Sequence, residues 1–110
     1  MIIAIDFDKT IHKYSLGWHD GTIYDKPITG AIEALIALQK ANHTIIVHTC
    51  REQPRLILEW FQKWGCPLGL RLNMNFILCT IKPYADFYID DRAIELKEDW
   101  QKVLGQIQDP

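Results

Sequence analysis

Two carboxylates one residue apart, Asp6 and Asp8, close the apolar run Ile2-Ile3-Ala4-Ile5 and are followed by Lys9 and Thr10. A second acidic pair, Asp90-Asp91, closes a later run, and Thr49 and Arg51 stand at the end of Thr44-Ile45-Ile46-Val47-His48. Lys82 lies just upstream of the last of these runs. Acids this close repel one another unless a cation lies between them. If the first and last runs are neighbouring strands, Asp6 and Asp90 face each other across a crevice, with Asp8 and Asp91 beside them. Such a set of oxygens suits Mg²⁺, which takes one or two carboxylates, some waters and a substrate phosphate. With that charge neutralised, Asp6 is a competent nucleophile toward phosphorus and would form an aspartyl-phosphate. Asp8 would protonate the leaving group and later activate water. Thr49 offers a hydroxyl and Lys82 a compact charge for the phosphoryl oxygens, while Asp90 with Asp91 would complete the metal site. Arg51 is open to two readings, a substrate phosphate or an ion pair with Glu52 or Asp91.

These residues need elements that bring strand ends together. Met1 to Asp6 is a continuous Ile-rich run, the mark of a strand covered on both faces, and Thr44 to His48 is a second. From about Thr29 the apolar residues Ala31, Ile32, Leu35, Ile36 and Leu38 fall on one helical face, with an end expected near Asn42. Pro54 to Trp64 is the clearest helix: Ile57, Trp60, Phe61 and Trp64 recur at i, i+3, i+4, i+7, Pro54 opens it and Gly65 follows it. A third strand falls within Leu70 to Leu78, a fourth over Ala85 to Ile89, and a last helix near Asp99 to Ile107. Alternating strands and helices predict a mostly parallel central sheet in a three-layer, Rossmann-like α/β fold. In such sheets ligands bind beyond the carboxyl ends of the strands, where strand order reverses. Residues 13–26 lack periodicity and read as an excursion, with a small hairpin expected around Asp20-Gly21.

The chain of 110 residues fits one domain, 1–110, and its 48% apolar and 24% charged residues are ordinary for a globular protein. A net charge of −2 gives no signal for nucleic acid. No apolar run reaches the roughly 18 residues of a membrane span, so no membrane partner is expected. Cys50, Cys66 and Cys79 are odd in number and widely spaced, which points to reduced thiols and a cytoplasmic location. His48 is expected as a core histidine, and His12 and His43 as surface residues.

At this point the residues resemble the haloacid dehalogenase-like phosphohydrolases. "DFDKT" resembles that family's first motif, DxDxT. "IIVHTCR", with Thr49, resembles the second, an apolar strand finishing in Thr or Ser. Lys82 resembles the third motif and "YIDD" the fourth. The resemblance implies a Mg²⁺-dependent phosphomonoester hydrolase with Asp6 as nucleophile and Asp8 as general acid/base, the ion held by Asp6, the main-chain carbonyl of Asp8, and Asp90. Lys9 stands where many members have glycine and adds a cation near the mouth. Cys50 also replaces a glycine.

The segment after Thr10 is too short for a folded cap, so no separate cap domain is expected and the site is open. Closure then falls to the excursion or to a neighbouring copy in a homo-oligomer. Lys9, Arg51, Trp18 and His19, with Tyr24, are the candidate substrate contacts, and the phosphorylated substrate is expected to be large or a sugar phosphate. Two other functions compete: the same fold kept as a binding or assembly module with weak or lost catalysis, and a receiver-like phospho-acceptor domain.

Overall fold

The Ile-rich opening run forms strand β1 (Ile2–Asp6), and the second β-branched run forms β2 (Thr44–His48). The structure, a computed structural model, describes residues 1–18, 20–73, 75–80, 83–90 and 100–108. Two further strands, β3 (Phe76–Cys79) and β4 (Phe87–Ile89), complete a sheet in the order β3-β2-β1-β4, parallel throughout. Helices α1 (Ala31–Lys40), α2 (Pro54–Trp64) and α3 (Trp100–Gln108) flank it. This is the Rossmann-like α/β architecture that the alternation of elements predicts. The order also differs from the 2-1-3-4 arrangement of receiver domains.

Burial explains the strand sequences. Ile3, Ile5, Ile45 and Val47 pack with residues of all three helices in one continuous core. Alternation turns Ala4 and Ile46 to the opposite face, where both are also buried. The central strands are therefore apolar on consecutive residues, as strands covered on both faces must be.

The helix ends follow from local chemistry. Asn42 adopts a left-handed φ of 65°, and the amides of Asn42 and His43 return to the carbonyls of Gln39 and Leu38 at 3.0 and 3.1 Å. This is a Schellman closure of α1, with asparagine in the position that glycine usually takes. Pro54 supplies the first turn of α2, where its missing N–H costs nothing. Gly65 ends α2 for a different reason than a left-handed turn, since its φ is −103°. A Cβ there would lie 2.6 Å from Leu70 Cδ2 and 3.0 Å from the Phe61 carbonyl oxygen. Glycine is required here by close approach.

The described residues of 13–26 form an excursion without helix or strand, and among them the hairpin expected at Asp20-Gly21 is not formed. Its ends meet through the Lys13 amide and Lys26 carbonyl at 3.0 Å. Inside it, side chains satisfy the backbone in place of a ladder. Asp20 accepts from the Thr22 amide at 3.0 Å, Tyr24 Oη donates to the Gly17 carbonyl and accepts from the Leu16 amide, and Asp25 accepts from Ser15. The result is an Ω-loop packed on itself.

The contact at Gly65 gives a signed prediction. At a helical φ, Gly→Ala ordinarily stabilises through the unfolded chain. Here Gly65→Ala is expected to lower the unfolding free energy by about 1–3 kcal/mol, as overpacking does. Urea titration of both proteins measures it, and a more stable variant would refute the close approach.

Candidate functional site

Strand order reverses between β1 and β4, the topological switch point where such folds bind ligands. Ile5 pairs with Ile89 across that boundary, and the next residue on each strand is an acid, Asp6 and Asp90. The two carboxylates thus leave adjacent strand ends on the same rim of the sheet. The Asp6 side chain is 39% exposed and lies 4.0 Å from Nδ1 of His48, which the register sets opposite it on β2. His48 is partly exposed beside an acid, in contrast to the core histidine expected from its sequence.

The chain turns back sharply after β1. Phe7 is fully buried and anchors the turn, and its carbonyl accepts from the amides of Ile11 and His12 at 2.9 and 3.0 Å. Lys9 takes a left-handed φ of 68°, a conformation that favours glycine, and it is exposed. The turn brings Asp8 over the sheet rim.

The Asp8 carboxylate is held from two sides. Arg51 donates Nε to Oδ2 at 2.9 Å and Nη2 to Oδ1 at 3.0 Å, a bidentate pair. His12 donates Nδ1 to Oδ1 at 2.8 Å. Burial alone would push the Asp8 carboxyl up, but the hydrogen bonds of His12 and Arg51, with the Arg51 charge, outweigh it and hold the group below its ordinary 3.8. Asp8 is therefore ionised. Arg51 also donates Nη1 to the Gly21 carbonyl at 2.9 Å and lies 5.7 Å from the Tyr14 ring centroid, so it ties the excursion to the site. Among the described residues its carboxylate partner is Asp8 and not Glu52; Asp91 lies outside them. His12, expected at the surface, is completely buried.

Thr49 follows β2 and is buried, its hydroxyl accepting the Arg51 amide at 3.0 Å in a local turn. Thr10 is also buried, and its hydroxyl finds no partner among the described residues. Its carbonyl accepts from Trp100 Nε1 at 2.9 Å, which pins α3 to the Asp8 turn. Between the excursion and the start of α2 lies a cleft of about 700 Å³, lined by Asp8, Tyr14, Trp18, Arg51, Glu52 and Leu56 among others. Trp18 is 71% exposed on its wall. Of the residues singled out in the sequence, Asp6, Asp8, Lys9, Thr49, Arg51 and Asp90 gather at one rim, with Trp18 across the cleft. Lys82, Asp91 and His19 lie outside the described residues.

Among the described residues no three His, Cys, Asp or Glu side chains group as a metal site. The Asp8 carboxylate is taken by Arg51 and His12, so Asp8 cannot serve as a carboxylate ligand in this state. No described residue donates to its main-chain carbonyl, however. Two carboxylates on adjacent strand ends with one carbonyl fit Mg²⁺, which completes its shell with water.

A conserved protein from Bacteroides thetaiotaomicron, of solved structure, is similar to this chain: TM-score 0.68 and 29% identity, covering 98% of this chain and 89% of that one. The two share the α/β fold. No family model and no curated protein matches the chain. No helix among the described residues is long and apolar enough to cross a membrane.

Three parts of the site have little signal in the sequence. The Arg51–Asp8 pair joins residues 43 apart. His12 has only its position four residues after Asp8 to mark it. Asp25 is a third: the Ser15 hydroxyl and amide, then the Lys26 amide, draw its pKa from 3.8 to about 2. A depressed carboxyl contributes stability that is complete above its unfolded value and is lost as pH falls through the folded one. Exchange protection of the Ser15 amide should therefore hold down to pH near 4 and fall away toward pH 2. Asp25→Asn should remove that pH dependence, and an unchanged profile in the variant would assign it to another group.

Proposed function

We propose that this protein is a Mg²⁺-dependent phosphomonoester hydrolase of the haloacid dehalogenase-like kind, working through an aspartyl-phosphate on Asp6. The observation that carries the reading is the Ile5–Ile89 register, which puts Asp6 and Asp90 next in the chain after neighbouring strand positions at the switch point, with an arginine-bound Asp8 two residues after Asp6. Mg²⁺, when bound by Asp6, Asp90 and the Asp8 carbonyl, would neutralise the phosphate and the two acids. An Asp6 oxygen attacks phosphorus, the bond to the leaving oxygen breaks, and that oxygen takes a proton from Asp8, which must first take one up from solvent as the substrate phosphate draws Arg51 away from it. In the second half Asp8, ionised again, takes a proton from water, whose oxygen displaces Asp6 and releases inorganic phosphate.

The remaining groups have roles by position. The Thr49 hydroxyl, and Lys82 beyond the described residues, would donate to the phosphoryl oxygens. Arg51 lines the cleft and suits a phosphate as well as it suits Asp8. Asp91, also beyond the described residues, would support the metal. The phosphorylated substrate extends into the cleft against Trp18 and Tyr14, with Lys9 at the mouth, which leaves room for a sugar phosphate or a larger molecule. The Ω-loop or a second copy of the chain would close it. Cys50, Cys66 and Cys79 form no disulfide, which suits a cytoplasmic location.

A second reading, a binding or assembly module with weak or lost catalysis, is favoured by one observation: Asp8 is fully engaged by Arg51 and His12. Purified protein assayed with Mg²⁺ on p-nitrophenyl phosphate and a phosphometabolite panel separates the two. The hydrolase reading expects turnover that EDTA abolishes and that Asp6→Asn lowers by roughly 10⁴-fold. Equal inertness of both proteins across the panel would leave the module reading in possession.

A further inference from the structure

His12 is a buried histidine enclosed by aromatic rings. Phe7 stacks on it at 5.4 Å with an interplanar angle of 20°, and Tyr24 and Trp60 meet it edge-on at 5.5 and 5.8 Å. Filling such a box requires only a flat ring. Two hydrogen bonds require more. The Asp25 amide donates to Nε2 at 3.0 Å, so that nitrogen must carry its lone pair, and Nδ1 must then carry the proton that goes to Asp8 at 2.8 Å. The Asp25 peptide is itself fixed, because its carbonyl accepts from Trp60 Nε1 at 2.9 Å. A line of bonds thus runs from Trp60 on α2, through the Asp25 peptide and the imidazole, to Asp8. In the dry aromatic surround each of these bonds is stronger than in water.

We infer that His12 is a positioning residue: it sets the orientation of the Asp8 carboxylate and couples it to the Ω-loop that walls the cleft. This inference rests on the hydrolase reading of Asp8, but the bonding pattern behind it does not. Arg51 grips the same carboxylate and the Gly21 carbonyl, so the loop reaches Asp8 by two routes. When a phosphate draws Arg51 away, His12 is the donor that remains. His12 is not among the residues lining the cleft and does not touch substrate there.

Two substitutions separate the two nitrogens. In His12→Asn the amide nitrogen falls near the place of Nδ1 and keeps the bond to Asp8, while the acceptor for Asp25 is lost. In His12→Gln the amide oxygen reaches toward the place of Nε2 and keeps the Asp25 bond, while the donor to Asp8 is lost. The expected result is a kcat near that of the natural protein for His12→Asn and a fall of about 10–100-fold for His12→Gln, the range of losses for residues that orient a functional group. KM should change little in either. Equal kcat for the two variants, or loss in His12→Asn alone, would overturn the inference and leave a structural histidine. Nitrogen NMR of the natural protein gives a readout independent of activity: His12 should be a neutral ring protonated on Nδ1, and protonation on Nε2 would overturn the inference. An inert natural protein would defeat the hydrolase reading, and with it the catalytic meaning of Asp8, whatever the tautomer.

Discussion

The parallel register of β1 and β4 sets two acids at neighbouring strand ends, and much of the site answers to that constraint. Adjacent strands run about 4.8 Å apart. Two unit charges about 5 Å apart repel by roughly 3 kcal/mol at the effective dielectric of a protein surface. Asp6 and Asp90 carry that repulsion at a rim where solvent can enter. Under the proposed function a divalent cation with oxygen preference would relieve it, with the nearby Asp8 carbonyl as a third oxygen.

Asp8 is treated in the opposite way. It is two residues from Asp6, yet the left-handed turn at Lys9 and the buried Phe7 swing it toward Arg51 and His12. Protein groups neutralise this carboxylate, whereas the other pair looks outward. Two acids in one short motif are thereby given separate environments, which is how one fold assigns separate chemical roles to like groups. The same two side chains link Asp8 to the Ω-loop, so the wall of the cleft and this carboxylate are parts of one bonded unit.

Much of this was legible in the sequence where periodicity or β-branched runs dominate. β2 and α2 begin and end where the pattern says, because each is a short uninterrupted run bounded by turn residues. The convergence of Asp6 with Asp90 followed from treating strand ends as neighbours in a parallel sheet. The sequence confines β3 only to the broad window Leu70 to Leu78, apolar on both sides of a turn at Asn73 whose side chain accepts the Asn75 amide, and the strand runs one residue past it to Cys79. The hairpin at Asp20-Gly21 failed because Asp20, Tyr24 and Asp25 bond the backbone locally and remove the need for cross-strand pairing. His12 was misjudged for a related reason: one histidine between an isoleucine and a lysine carries no periodic signal, and its aromatic enclosure is built from Phe7, Tyr24 and Trp60, residues distant from one another in the chain.

The claim on which the account depends is that Asp6 and Asp90 share one cation. Crystals grown with Mn²⁺ in place of Mg²⁺ test it through the metal's anomalous scattering. The account predicts a single peak between β1 and β4 bonded to one oxygen each of Asp6 and Asp90, absent in an Asp90→Asn variant that keeps its fold. A natural protein without a peak there, or with the ion held elsewhere and the two carboxylates turned apart, would contradict it.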